Sequence, residues 1–300
     1  MPFQQVVRLL GASSNAYGPV LQEPKPSLPK NVAAAPRKIS MEHATYSAAL
    51  LLLLLCGAIV NRIAVARRNA DIFIRRLPGL DALDEALGRA TEMGRPILFS
   101  PGFGQLSDMS TYAALAVLEY VVRHAARYNI RVIVPIPYAP VYPVAQAVVR
   151  EAYAAEDALD RHRPEDVLFL SGDQNAFMAA VAGILLRERI ATALYFGSYG
   201  YESLLMAETG RRAGAIQVAA TDAFFQVPFF LTSCDYTMIG EELYAAGAYL
   251  SREPSLLGSV LGQDVGKLLL ALITAAGILA ALGATLAGSS FNILAGLLGW

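Results

Sequence analysis

Charge is the first thing this 300-residue sequence is short of. Asp, Glu, Lys and Arg make up 16% of it and hydrophobic residues 55%, against roughly 25% charged in an ordinary soluble domain. So large a deficit points to membrane segments. The net charge of −1 offers no basic face, so nucleic acid is not expected as a partner. Histidine is scarce too: only His43, His124 and His162 occur, no two at ligand spacing. The two cysteines, Cys56 and Cys234, lie far apart in unlike surroundings. Neither a disulfide framework nor a cysteine zinc centre can be built from them, and no metal site is expected. Several motifs are missing as well. No GxxxxGK[ST] loop occurs, and Gly102-Phe103-Gly104 lacks the third glycine of the dinucleotide fingerprint because position 107 is serine. Gly197-Ser198-Tyr199-Gly200 falls short of the nucleophile elbow G-x-S-x-G, and His124 and His162 are poorly placed to complete a triad.

Long apolar runs are abundant. Ala44–Val60 contains seventeen residues without a charge. Continued to Val65 it spans about 30 Å as a helix, enough to cross a bilayer. A second run, residues 265–287, has no charge after Lys267 and carries small residues at three- and four-residue spacing (Ala276, Ala280, Ala281, Gly283, Ala284). That composition lets helices approach closely in lipid. Residues 44–65 and 265–287 are therefore expected to be transmembrane helices. The lipid bilayer is the expected partner, and a second copy or another membrane protein could pair through these helices. Residues 1–43 hold six of the sixteen prolines and read as a disordered tail. Residues 288–300 are apolar but too short to span, which suits an interfacial tail ending at Trp300. Arg252 and Lys267 lie on the inner side of the second run, with no Lys or Arg after it. The positive-inside tendency then places the intervening domain in the cytoplasm and both termini outside.

Between the two runs, strand-like and helical segments alternate over residues 66–255. Asp71–Leu77 reads as an edge strand and Asp81–Met93 as a helix. Strands are expected near 96–100, 130–136, 166–171, 192–197, 215–220 and 236–239. Helices are expected near 106–128, 142–161, 174–188, 201–213, 223–234 and 241–251, with Ser107 and Asp108 both good caps for the first. Runs such as Ile130–Ile136 are continuously apolar, as parallel strands covered on both faces should be. The fold class is α/β, a Rossmann-like, doubly wound, mostly parallel sheet flanked by two membrane helices. The apolar stretch Ala176–Leu186 is too short to span and reads as a buried crossover helix.

In such sheets ligands bind outside the carboxyl ends of the strands. Here those ends carry Ser100, Gly102 and Gly104, then Gly172, Asp173 and Asn175, then Ser198, Tyr199 and Glu202, and finally Asp222 and Glu241. Glycine lets backbone approach a ligand and the following helix offers free N–H groups. The acids suit a hydroxyl, an amine or a cation. Glycine, Asp and Asn are equally what βα turns require, and Glu241-Glu242 suits an acidic first turn. Cys234 reads as a buried small residue.

The run RRLPGLDALDEALGRATEMGRPILFSPG, together with CDYTMIGEELYAAGAYLS, resembles a family of bacterial and archaeal membrane proteins known as a domain of unknown function, over roughly residues 44–285. The resemblance implies an α/β domain between membrane helices and carries over no catalytic residues. The expected role is binding of a small ligand or a partner protein by a membrane-anchored domain. An accessory subunit of a membrane complex, or a tethered enzyme acting on a nucleotide-like or small polar substrate, are the alternatives; no cofactor is specified.

Overall fold

The computed structural model describes residues 46–68, 78–251 and 254–286. The expected N-terminal tail, the edge strand at Asp71–Leu77 and the C-terminal tail lie outside them. The order is α1 (Tyr46–Arg68), α2 (Pro78–Met93), β1 (Ile97–Gly102), α3 (Met109–Arg127), β2 (Val132–Ile136), α4 (Val141–Ala155) and β3 (Val167–Phe169). There follow α5 (Gln174–Arg187), β4 (Thr192–Ser198), α6 (Glu202–Ala213), β5 (Ile216–Thr221), α7 (Val227–Ser233), β6 (Tyr236–Ile239), α8 (Glu241–Ser251) and α9 (Pro254–Leu286).

The six strands form one sheet of order β3-β2-β1-β4-β5-β6, every pair parallel. Alternation along the central strands sends Ile97, Phe99, Leu194 and Phe196 to one face and Leu98, Ala193 and Tyr195 to the other. The first face is covered by α2, α3, α4 and α8, the second by α5, α6 and α7. Helices on both faces explain why the strands are apolar throughout. Phe99 and Phe196 stack across neighbouring strands, with centroids 5.7 Å apart. The fully buried aromatics Phe99, Phe196, Phe177, Phe230 and Tyr195 are each worth about 1.5–3 kcal/mol of burial.

Several boundaries differ from expectation for identifiable reasons. α4 stops at Ala155, six residues early, because Asp157 takes the left-handed conformation with φ 52°. Two 3-10 turns, Leu159–Arg161 and Pro164–Asp166, then deliver the chain to β3. The second turn is held by Arg131, which pairs with buried Asp166 at 2.7 Å and with Glu188 at 2.8 Å. α3 begins at Met109 with Asp108 at its cap position, but no side-chain cap bond forms. The Asp108 carboxylate turns back instead and accepts the Gln105 N–H at 2.8 Å.

α1 and α9 pack as an antiparallel pair through glycines. A Cβ added at Gly258 would stand 2.4 Å from Ile63 Cα, and one at Gly262 would stand 2.8 Å from Ile59 Cα. One turn further, a Cβ at Gly266 would meet Leu55 Cδ2 at 3.3 Å. Spacing of four puts the three glycines on one helix face. Ala49–Arg68 and Leu256–Gly283 are long and apolar enough to cross a membrane, and little of either is buried within the protein. α9 is one continuous helix from Pro254, so the expected boundary at 265 falls inside it.

Two histidines make stability depend on pH. His124 Nε2 and His162 Nδ1 are buried without hydrogen-bond partners. Burial lowers both imidazoles below their ordinary value, with Asp84 opposing and Arg127 reinforcing at His124, and Arg150 reinforcing at His162. The unfolded chain then binds more protons than the folded one below about pH 6.5, so stability should fall as pH drops through that value and level off beneath the folded pKa values. Urea denaturation across this range should show the slope, and His124→Phe should reduce it to the share of His162.

Candidate functional site

The strand-end residues separate into three places. The first is the switch point between β1 and β4, where the chain order reverses direction across the sheet. Sequence reasoning expects an open crevice there, but this gap is laced shut. Phe103 N–H donates to the Ser198 carbonyl at 2.7 Å, and Tyr199 Oη donates to the Ser100 carbonyl at 2.6 Å. Gly102 has φ +74°, and a Cβ there would stand 2.3 Å from Ser198 O. Gly104 needs no unusual φ; its glycine is required because a Cβ would meet Thr111 Oγ1 at 2.2 Å. Tyr199 is buried, and burial holds its hydroxyl well above the ordinary range, so it stays a neutral donor. Ser100 and Glu202 are fully buried. Glu202 Oε1 accepts the Gly200 N–H at 2.6 Å, while Oε2 and the Ser100 hydroxyl find no partner. Gln174 Nε2 and Glu202 Oε2 lie 2.7 and 2.8 Å from the point where a Gly200 Cβ would stand, so a side chain there would push one of them aside.

The second place is the start of α5. Asp173 accepts the Ala176 N–H at 2.9 Å and is therefore the helix cap. Gly172 and Asn175 are exposed beside it.

The third place holds an actual cavity of about 480 Å³ beyond the ends of β5 and β6, walled by α3, α8 and the first turns of α9. Asp222 and Glu241, both expected from the sequence, line it with Met109, Tyr112, Phe224, Tyr244, Val260 and Gln263. Asp222 Oδ2 accepts the Tyr244 hydroxyl at 2.8 Å, and Oδ1 is buried without a partner. Tyr244 is pushed up to about 12, first by burial and then by Asp222, with Asp108 adding to the negative field. Glu241 is paired with Lys267 and takes a hydrogen bond from Gln263 at 3.4 Å. The lining is thus apolar with an acidic corner.

A family model described as a domain of unknown function (DUF6754) matches residues 36–291, which takes in both apolar helices and the whole sheet. The chain belongs to this family. No curated protein and no solved structure matches it. Among the described residues of this DUF6754 chain, no group of three or more His, Cys, Asp or Glu is placed to hold a metal ion. Burial pushes the Cys234 thiol up to about 12, which suppresses the thiolate needed for nucleophilic chemistry. The wall that sequence reasoning missed is the start of α9, since residues 256–264 fall between the expected domain and the expected second membrane helix. The signal for it was present in the four-residue spacing of Gly258, Gly262 and Gly266.

Proposed function

We propose that this DUF6754 protein is a membrane-anchored binding protein. Its Rossmann-like domain takes a small ligand, with an apolar body and an amine or hydroxyl donor, in the cavity between the ends of β5 and β6 and α9. The strand order supports the Rossmann-like reading, being 3-2-1-4-5-6 with helices on both faces. The two apolar helices support the anchor, and the Arg and Lys distribution supports a cytoplasmic domain. The observation that carries the ligand reading is Asp222 Oδ1, a buried acceptor left unpaired on the wall of a largely apolar cavity. Such an atom costs about 1–3 kcal/mol unless a donor fills the space.

The site disfavours a dinucleotide. Asp108 stands at the amino end of α3, where a pyrophosphate would lie in this fold, and its carboxylate is held nearby on the Gln105 N–H. A like charge there repels phosphate.

Asp222→Asn tests the reading, because an amide oxygen still accepts from Tyr244 while the charge is lost. Native mass spectrometry of the purified full chain should find a small molecule retained by wild type and reduced at least about tenfold in the variant, a loss of about 1.4 kcal/mol. Its melting temperature should move little, as for a substitution within about 0.5 kcal/mol. Equal retention by both proteins, or none by wild type, would sink the proposal.

A further inference from the structure

The β5–α7 loop presents Phe224 and Phe225, which are 75% and 91% exposed, more than any other large apolar side chain among the described residues. They occupy the two central positions of a tight turn closed by Gln226 N–H donating to Ala223 O at 2.8 Å. Beneath the turn, Ala223 N–H donates to Thr221 Oγ1 at 3.2 Å and Ser203 Oγ donates to Gln226 Oε1 at 3.0 Å. The loop is therefore braced with both rings exposed. Exposed phenylalanines held in this way are a standing cost in water unless something covers them.

The path of the chain indicates what covers them. α8 starts at the carboxyl end of β6 and runs back along the sheet to Ser251. α9 then climbs beside α8 in the opposite direction, and Lys267 reaches Glu241, the first residue of α8. Lys267 is the last charged residue of the chain. The apolar run from Leu268 thus leaves the domain beyond the carboxyl ends of the strands. Phe224 lies on that same level: its ring is 3.8 Å from the position of a Cβ on Gly240, the residue before Glu241.

We propose that Phe224 and Phe225 insert into the lipid–water interface of the bilayer that α9 enters beyond Lys267, so that the carboxyl edge of the sheet faces the membrane and the Asp222 cavity opens at headgroup level. Aromatic side chains are enriched at this depth. The inference rests on the membrane-anchored reading given above, and its test separates the two.

Trp300 is the only tryptophan, so a Trp300→Phe background leaves the full chain free of indole. Phe225→Trp and, separately, Leu279→Trp, at an exposed site well along α9, are reconstituted into phosphatidylcholine vesicles containing brominated lipids. Phe225→Trp should show blue-shifted emission and lose more intensity to bromines near the headgroup than to bromines near the chain ends, and Leu279→Trp the reverse. Quenching of Leu279→Trp without quenching of Phe225→Trp would overturn the loop proposal and leave the anchor standing. Shielding of Phe225→Trp that varies with protein-to-lipid ratio would assign the loop to a second copy and also overturn it. If neither indole is quenched, the anchor reading fails and the loop proposal with it.

Discussion

Gly258→Leu and Gly262→Leu should each separate α1 from α9, with a loss of about 3 kcal/mol or more from the helix pair. The two helices meet here backbone to backbone, so close packing supplies the association. At Gly258 the obstacle to any side chain is the backbone of Ile63, with Cα at 2.4 Å and N at 2.9 Å. No rotamer change can clear it, and the helix axes must move apart. Hydrogen exchange of the α1 amides in detergent should then accelerate, and the cavity wall contributed by Val260 and Gln263 should shift with them. Gly283→Leu is the control, since nothing lies within 4 Å of that glycine. If Gly258→Leu behaves like Gly283→Leu, the glycine face does not hold the pair together.

Gly102→Ala should cost the α/β domain about 3–5 kcal/mol, in the range reserved for severe single substitutions. Two effects add. A non-glycine residue at φ +74° carries roughly 1–2 kcal/mol of steric strain. The new methyl would also stand 2.3 Å from the Ser198 carbonyl, the oxygen that receives the Phe103 N–H and so laces β1 to β4. Gly214→Ala isolates the first effect, because its φ is +71° with open space around it. A domain of this size loses about 2–4 °C per kcal/mol, so the two variants should differ by several degrees in a melting curve. Equal losses would mean that the β1–β4 closure contributes nothing beyond backbone strain.

The contrast between these glycines marks where sequence reasoning reaches its limit. Gly102 and Gly104 both read as flexible turn residues, yet only Gly102 has a positive φ, and Gly104 is small because Thr111 crowds it. Asp108, Asp173 and Glu202 show the same limit. Each is an acid at the start of a helix, a position where sequence permits a cap, a ligand contact or a buried structural bond. The folded chain makes Asp173 a cap, turns Asp108 back on its own loop, and buries Glu202 against Gly200.

The alternation of short apolar runs with helical periods determined the α/β class and the parallel sheet, because a strand buried on both faces must be apolar at every position. Composition likewise determined two helices apolar enough to span a bilayer, since period and hydropathy are local properties. What the sequence left open was which strand ends would be open and which sealed. That depends on distances between residues about a hundred positions apart, such as Tyr199 to Ser100 and Gly102 to Ser198. It depends as well on α9 returning along α8 to wall in Asp222. A pattern read along the chain carries no information about how closely two remote backbones approach, and that approach decided where a ligand could fit.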